Sequence, residues 1–201
     1  MRWIFVALMI AASSLSGCGA LSSLSKAGAE LDAYTLSPAV GSGAPVRGRG
    51  HLIVELPSSA GALATDRILI KPVPYQAQYL PGGRWIEPAP ALLQTLLVAS
   101  FQNVGGFELV GRTANGLNPD YTLMTEVMDF QVEPSGPGPD QFVVRISLMM
   151  TVIREADRRI VASRQFYTSE AAASDDTQVL VSAFDRALQR LLEEIVGWTP
   201  R

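Results

Sequence analysis

The sequence predicts an α+β fold: a largely antiparallel sheet with two helices packed on one face, forming a single domain after a signal peptide and a flexible tether. Three observations predict it. Phe142, Val144, Ile146, Leu148, Met150 and Val152 alternate with polar neighbours, the period of a half-buried strand. Similar alternation before and after that run gives three long strands in succession. A broad apolar stripe from Val179 through Leu180, Ala183, Phe184, Ala187, Leu188, Leu191, Leu192 to Ile195 recurs at helical spacing and supplies a cover for the sheet.

The elements follow in order. Met1 to Trp3 is a short positive start, Ile4 to Ala12 an apolar run, and Leu15-Ser16-Gly17-Cys18 closes it. That run is too short to span a bilayer stably and suits the apolar core of a signal peptide. Residues 1–17 read as the leader, 18–30 as a segment that opens on Cys18 and continues as a tether of small polar residues, and 31–201 as the folded domain. Leu31 to Leu36 and His51 to Leu56 read as strands separated by the Gly/Pro-rich loop Ser37 to Gly50. After a second loop, Ser58 to Ala64, comes the strand Ile68 to Ile70.

Pro81-Gly82-Gly83 reads as the turn of a hairpin between Gln76–Leu80 and Arg84–Ile86. Leu92, Leu93, Leu96, Leu97 and Phe101 place a helix over Ala91 to Asn103, entered through Pro88 and Pro90 and stopped by Gly105-Gly106. Phe107 to Val110 is a short strand. Tyr121 to Val132, Phe142 to Val152 and Ile160 to Thr168 form an antiparallel meander, with Met124, Met128, Phe130 and Val132 sharing one face of its first strand. Asp175 is the expected N-cap of the last helix, and Gly197 its stop.

Composition excludes several functions. The 201 residues carry 16 basic and 19 acidic side chains, net −3; without Arg2 of the leader this becomes 15 − 19 = −4. Such a chain has no electrostatic case for nucleic acid or an anionic membrane surface. Any membrane affinity would have to come from an attached lipid, each buried methylene contributing about 0.8 kcal/mol. His51 is the only histidine and Cys18 the only cysteine, too few nitrogen and sulfur ligands for a zinc site; a Ser–His–Asp triad would have to use His51, and no G-x-S-x-G elbow supplies its serine. Asp129 and Glu133 share a strand face, but next to a Pro/Gly loop they read as solvated carboxylates rather than a glycosidase pair. The glycine clusters lack a phosphate-loop lysine. No catalytic residue, metal or cofactor is expected beyond the covalent lipid.

Residues 15–18 resemble the lipobox of bacterial lipoproteins, which places cleavage between Gly17 and Cys18 and lipid on the cysteine. The mature chain resembles the ABC-type transport auxiliary lipoprotein family, the PqiC-like lipoproteins that accompany MCE (mammalian cell entry) transport systems. The resemblance rests on Tyr34-Thr35-Leu36, Asp66-Arg67-Ile68, Tyr79, Arg84-Trp85-Ile86-Glu87-Pro88, Phe107-Glu108-Leu109-Val110, and Arg164 and Phe166 on the last strand. Ile86 stands where the family segment usually has alanine.

The resemblance implies a non-catalytic accessory facing the periplasm. Its partners would be an MCE-domain protein with its ABC permease and ATPase, and phospholipid or hydrophobic solutes would pass between the membranes. It also allows a homo-oligomer, such as a ring of copies. Gly19, where inner-membrane retention uses Asp, favours the outer membrane. Tyr79, Arg84 and Trp85 are the candidate partner contacts, an arginine and aromatics beside a turn being common interface anchors; Trp85 could equally cap the core beneath the first helix. The alternative function is a structural partner of an outer-membrane β-barrel machine.

Overall fold

The computed structural model describes residues 30–41, 48–112, 118–136 and 141–200. The expected leader, Gly17, Cys18 and nearly all of the tether lie outside these residues, as do parts of the two Gly/Pro loops. The strands are β1 (Asp32–Tyr34), β2 (His51–Val54), β3 (Ser58–Ser59), β4 (Arg67–Ile70), β5 (Gln78–Trp85), β6 (Leu109–Gly111), β7 (Tyr121–Pro134), β8 (Phe142–Arg154) and β9 (Arg159–Ala172); the helices are α1 (Ala89–Val104) and α2 (Thr177–Trp198). All nine strands join one sheet.

β7 organises that sheet. Along one edge it pairs in full with β8, which pairs in turn with β9, giving the expected antiparallel meander. Along the other edge it is shared by three short parallel neighbours: β2 beside Tyr121–Leu123, β3 beside Glu126–Val127 and β4 beside Gln131–Val132. Outward from these, β6 flanks β2, and β5 followed by β1 flank β4. The long pairings are antiparallel and the short ones mostly parallel.

The inner face of β8 buries Val144, Ile146, Leu148, Met150 and Val152, as alternation predicts. β7 departs from simple alternation. A bulge between Val127 and Asp129 leaves Met128 without a partner on β8. An inserted residue reverses the parity of a strand. Leu123 and Val127 are therefore buried before the bulge and Phe130 and Val132 after it, while Met124 and Met128 are exposed. The expected grouping of all four on one face is corrected at that bulge.

The Pro81-Gly82-Gly83 turn is also corrected: these residues lie inside the continuous strand β5. They coincide with a break in the β4–β5 register, where the missing proline N–H leaves no ladder bond unmade. The glycines serve close approach. A Cβ on Gly83 would stand 2.7 Å from the Tyr34 ring and 2.9 Å from the Thr177 methyl, and one on Gly82 would stand 2.7 Å from the Thr177 hydroxyl. β5 thereby packs directly against the start of α2.

Leu92, Leu93, Leu96, Leu97 and Phe101 of α1 and the stripe of α2 from Leu180 to Ile195 are buried in one core with the sheet's inner face. α1 ends at Gly105, whose φ of 84° only glycine adopts readily. α2 runs through Gly197 to Trp198, and its N-cap is Asp176 rather than Asp175. The Asp176 carboxylate accepts from the backbone N–H of Gln178 at 2.9 Å and of Val179 at 3.3 Å. Asp176→Ala should cost about 1 kcal/mol, read as a lower urea midpoint, and Asp175→Ala should leave that midpoint unchanged. Equal losses would reassign the cap. Among the described residues no helix is long and apolar enough to cross a membrane.

Candidate functional site

The residues singled out by sequence converge on the β4–β5 corner. Trp85 N–H donates to the Asp66 carbonyl at 2.6 Å, Ile86 N–H to the Tyr34 carbonyl at 2.8 Å, and Ala89 N–H to the Thr65 carbonyl at 3.0 Å. The Arg84-Trp85-Ile86-Glu87-Pro88 segment therefore joins β1, β4 and the entry to α1. Glu87 continues this role, accepting from the Thr95 hydroxyl of α1 at 3.1 Å.

The three candidate contacts separate by burial. Trp85 is 1% exposed. Its ring centroid lies 5.2 Å from Phe184, edge-on, and 5.5 Å from Phe130. It is a core residue, as its alternative reading expects, packed against Phe184 of α2, and presents no surface to a partner, which corrects its place among the contacts. Tyr79 is 37% exposed; its hydroxyl donates to the Ala62 carbonyl at 3.3 Å and the Arg67 guanidinium lies 5.6 Å from its ring centroid. Arg84 is half-buried beside Asp66, 3.4 Å away. Ile86 is an exposed apolar neighbour that sequence reading passed over, because replacement of alanine by another apolar residue carries no signal of exposure. The accessible surface of this corner is Tyr79, Arg84 and Ile86.

The outer face of the sheet carries the second polar constellation. Gln131, almost fully buried, donates to Asp129 at 2.7 Å and to Glu133 at 3.0 Å. Lys71 stands 3.8 Å from Asp129, and Arg145 2.7 Å from Glu133. Arg145 also donates to the Tyr167 hydroxyl at 2.7 Å. The two acids of the expected solvated pair are thus held in a cross-strand ladder. His51 lies at the head of β2, where its backbone N–H donates to Asp120 at 2.7 Å. No group of three or more potential metal ligands occurs among the described residues.

At the end of the sheet where β4 and β7 finish and α2 begins, a cleft of about 590 Å³ opens. Ile70, Leu80, Val132, Phe142 and Leu180 give it an apolar floor, and Lys71 and Glu133 stand among its polar lining.

β9 pairs only with β8, so its outer edge is open among the described residues. Its Glu170 accepts from Arg186 at 2.8 Å and Arg190 at 2.7 Å of α2, and its Arg164 donates to Glu194 at 2.6 Å. Hydrogen bonds from Arg186 first, then Arg190, hold the Glu170 carboxyl below the usual glutamate range. A lowered folded-state value stabilises above the unfolded-state value and is lost as pH falls through the folded one. Glu170→Gln should therefore cost at most about 1 kcal/mol at neutral pH, these pairs being largely solvated. The gap from the parent should close on acidification below the glutamate range, as followed by urea midpoints at several pH values. A gap that widens in acid would refute the pairing.

Fold and surfaces together define a single-domain α+β module whose acids are largely engaged in holding elements together. A family model described as the ABC-type transport auxiliary lipoprotein component matches residues 34–196, and the chain belongs to that family. Protein XCC0632 of Xanthomonas campestris, a DUF330 member of known crystal structure, is 29% identical, with a TM-score of 0.74 over 85% of this chain and 94% of that one. A second crystal structure, of an uncharacterized protein, shares the fold at 19% identity, with a TM-score of 0.63 over 84% of this chain and 98% of that one. An uncharacterized protein of Bradyrhizobium diazoefficiens is 30% identical over 151 residues, 74% of this chain; the chain spans 39% of that relative's length. The protein is thus a member of the ABC-type transport auxiliary lipoprotein family, whose description as lipoproteins makes it a membrane-anchored protein of the cell envelope.

Proposed function

We propose that the chain is the non-catalytic, lipid-anchored accessory of an MCE-type ABC system moving phospholipid or other hydrophobic solutes between the inner and outer membranes. The observation that carries this reading is the family match over residues 34–196, with a lipobox-like Leu15-Ser16-Gly17-Cys18 directly upstream. Cleavage between Gly17 and Cys18 would leave the domain facing the periplasm, and Gly19 supports the outer membrane as its station. The ion-paired state of Asp129, Glu133 and Glu170 supports a scaffolding rather than a catalytic use of these acids. Tyr79, Arg84 and Ile86 supply a patch of mixed polarity suited to an MCE-domain protein.

Affinity capture of the lipidated protein from detergent-solubilised envelopes, with mass spectrometry of what it retains, tests the proposal. Recovery of an MCE-domain protein with its permease and ATPase is the expected result. Recovery of a β-barrel assembly component alone would replace this reading with that of an assembly lipoprotein. Arg84→Ala combined with Tyr79→Ala should reduce capture while the protein stays folded, with only a small drop in the thermal midpoint from the lost Asp66 and Ala62 contacts.

A further inference from the structure

The cleft of about 590 Å³ lies where the ends of β4 and β7, the start of β8 and the first turn of α2 meet. Its size falls within the roughly 300–1,000 Å³ of small-molecule sites, which pair an apolar lining with a few convergent polar groups. Leu80, Val132 and Leu180 of its floor are buried, whereas Ile70 and Phe142 are only partly so. Apolar surface on those two side chains therefore remains for a ligand to cover.

The polar part of the cleft is rich in acceptors. Pro72, Pro81 and Pro134 stand in its walls and have no N–H to donate, so the backbone offers only carbonyls at those positions. Three acids, Glu133, Asp175 and Asp176, stand there against one cation, Lys71. Lys71 faces Asp129 at 3.8 Å and Glu133 faces Arg145 at 2.7 Å, so these two charges are answered from the protein. The uncompensated charge lies on Asp175 and Asp176. Asp175 forms no ion pair among the described residues. Asp176 already accepts from the Gln178 and Val179 N–H groups, which removes from the positive end of α2 the donors that an anionic head would need.

We propose that this cleft binds a small amphiphile, a single alkyl chain ending in an ammonium group. The chain would lie on Ile70, Val132, Phe142 and Leu180, and the three N–H donors of the ammonium would meet the Asp175 and Asp176 carboxylates. A carboxylate head would bring like charge to the same two acids. The folded domain alone forms the site, so such binding holds whether or not the chain serves an MCE system.

Full-length lipidated protein in phosphatidylcholine nanodiscs is irradiated with an octylammonium probe carrying a diazirine in its chain, and the adducts are mapped by peptide mass spectrometry. Adducts are expected on Ile70, Phe142 or Leu180. Unlabelled octylammonium should displace the probe at lower concentration than octanol, and octanol at lower concentration than octanoate. Butylammonium is four methylenes shorter and should require at least about tenfold more, since a fully buried methylene contributes about fourfold. Asp175→Asn leaves the Asp176 cap in place. It should raise the octylammonium requirement about two- to fivefold, the range of an exposed ion pair, and leave that of octanol unchanged. Uptake by the nanodisc cancels in this comparison of parent with variant.

Adducts scattered over the exposed surface, or not displaced by octylammonium, would overturn the proposal. So would octanoate competing as well as octylammonium, or an Asp175→Asn effect equal for amine and alcohol, since charge would then play no part. Butylammonium matching octylammonium would overturn it as well: the cleft would read a point charge, such as a lysine side chain of another protein, and not an alkyl chain.

Discussion

Trp85→Ala should lower the unfolding free energy by about 3–5 kcal/mol, the range for deleting a fully buried large aromatic. Trp85 sits where β5, β7 and α2 meet, with Phe130 and Phe184 on its ring at centroid distances of 5.5 and 5.2 Å. Phe130 and Phe184 themselves lie 4.9 Å apart, so the three rings form one cluster. Removing the indole leaves a cavity between two inflexible rings, and glycine-mediated packing of β5 on Thr177 limits how far the strand can collapse into it. Trp85→Phe keeps part of the ring volume and should lose roughly half as much. Urea unfolding of purified protein reads both. A loss under about 1 kcal/mol for Trp85→Ala would mean that this corner relaxes freely and that the ring cluster does not hold β5 to α2. Tyr79→Ala, by contrast, removes a half-exposed ring and should stay within about 1 kcal/mol of the parent.

Cys18→Ala should abolish anchoring. The expected product is an unlipidated precursor that keeps residues 1–17, because the lipid acceptor and the cleavage signal are the same residue in the lipobox reading. The readout follows from the sequence: trypsin cleaves after Lys26, so a lipidated mature protein yields a peptide from Cys18 to Lys26 carrying the acyl mass. Two or three acyl chains, at about 0.8 kcal/mol per buried methylene, outweigh any contact the domain itself can make. Recovery of that cysteine unmodified, inside a peptide extending upstream of Gly17, would remove the lipoprotein reading of this chain. It would not touch the core that the described residues build, which begins at Tyr34.

The parts of the fold legible in the sequence are those where one rule runs uninterrupted. β8 alternates without a break through its inner face, and α2 keeps its apolar stripe from Leu180 to Ile195, so both follow directly from period. Legibility fails where two rules compete at one residue. Alternation carried through Met128 misplaces Met124 because a bulge leaves no mark in composition. Pro81-Gly82-Gly83 carries the chemistry of a turn, yet its glycines answer to the Tyr34 ring and Thr177, contacts made by residues distant in sequence. Asp175 and Asp176 are equally good caps in isolation, and only the backbone path places the Asp176 carboxylate on the N–H groups of Gln178 and Val179. At the candidate site, Arg84 and Tyr79 were legible as accessible polar and aromatic groups. The burial of Trp85 was not, because nothing local distinguishes an anchor from a core ring.

The open edge of β9 has a consequence for life on a membrane. Proteins anchored to one leaflet share a plane, and crowding there brings sheet edges together far more often than in bulk solution. A long bare strand invites a neighbour's strand to extend it. β9 is lined on its inner side by Arg164 and Glu170, each tied to α2 through Glu194, Arg186 or Arg190. An incoming strand would have to cover these charged links with no helix of its own to satisfy them, and would strip water from them. The same three links that fasten the last helix to the sheet should therefore also disfavour extension of the sheet by a neighbouring copy.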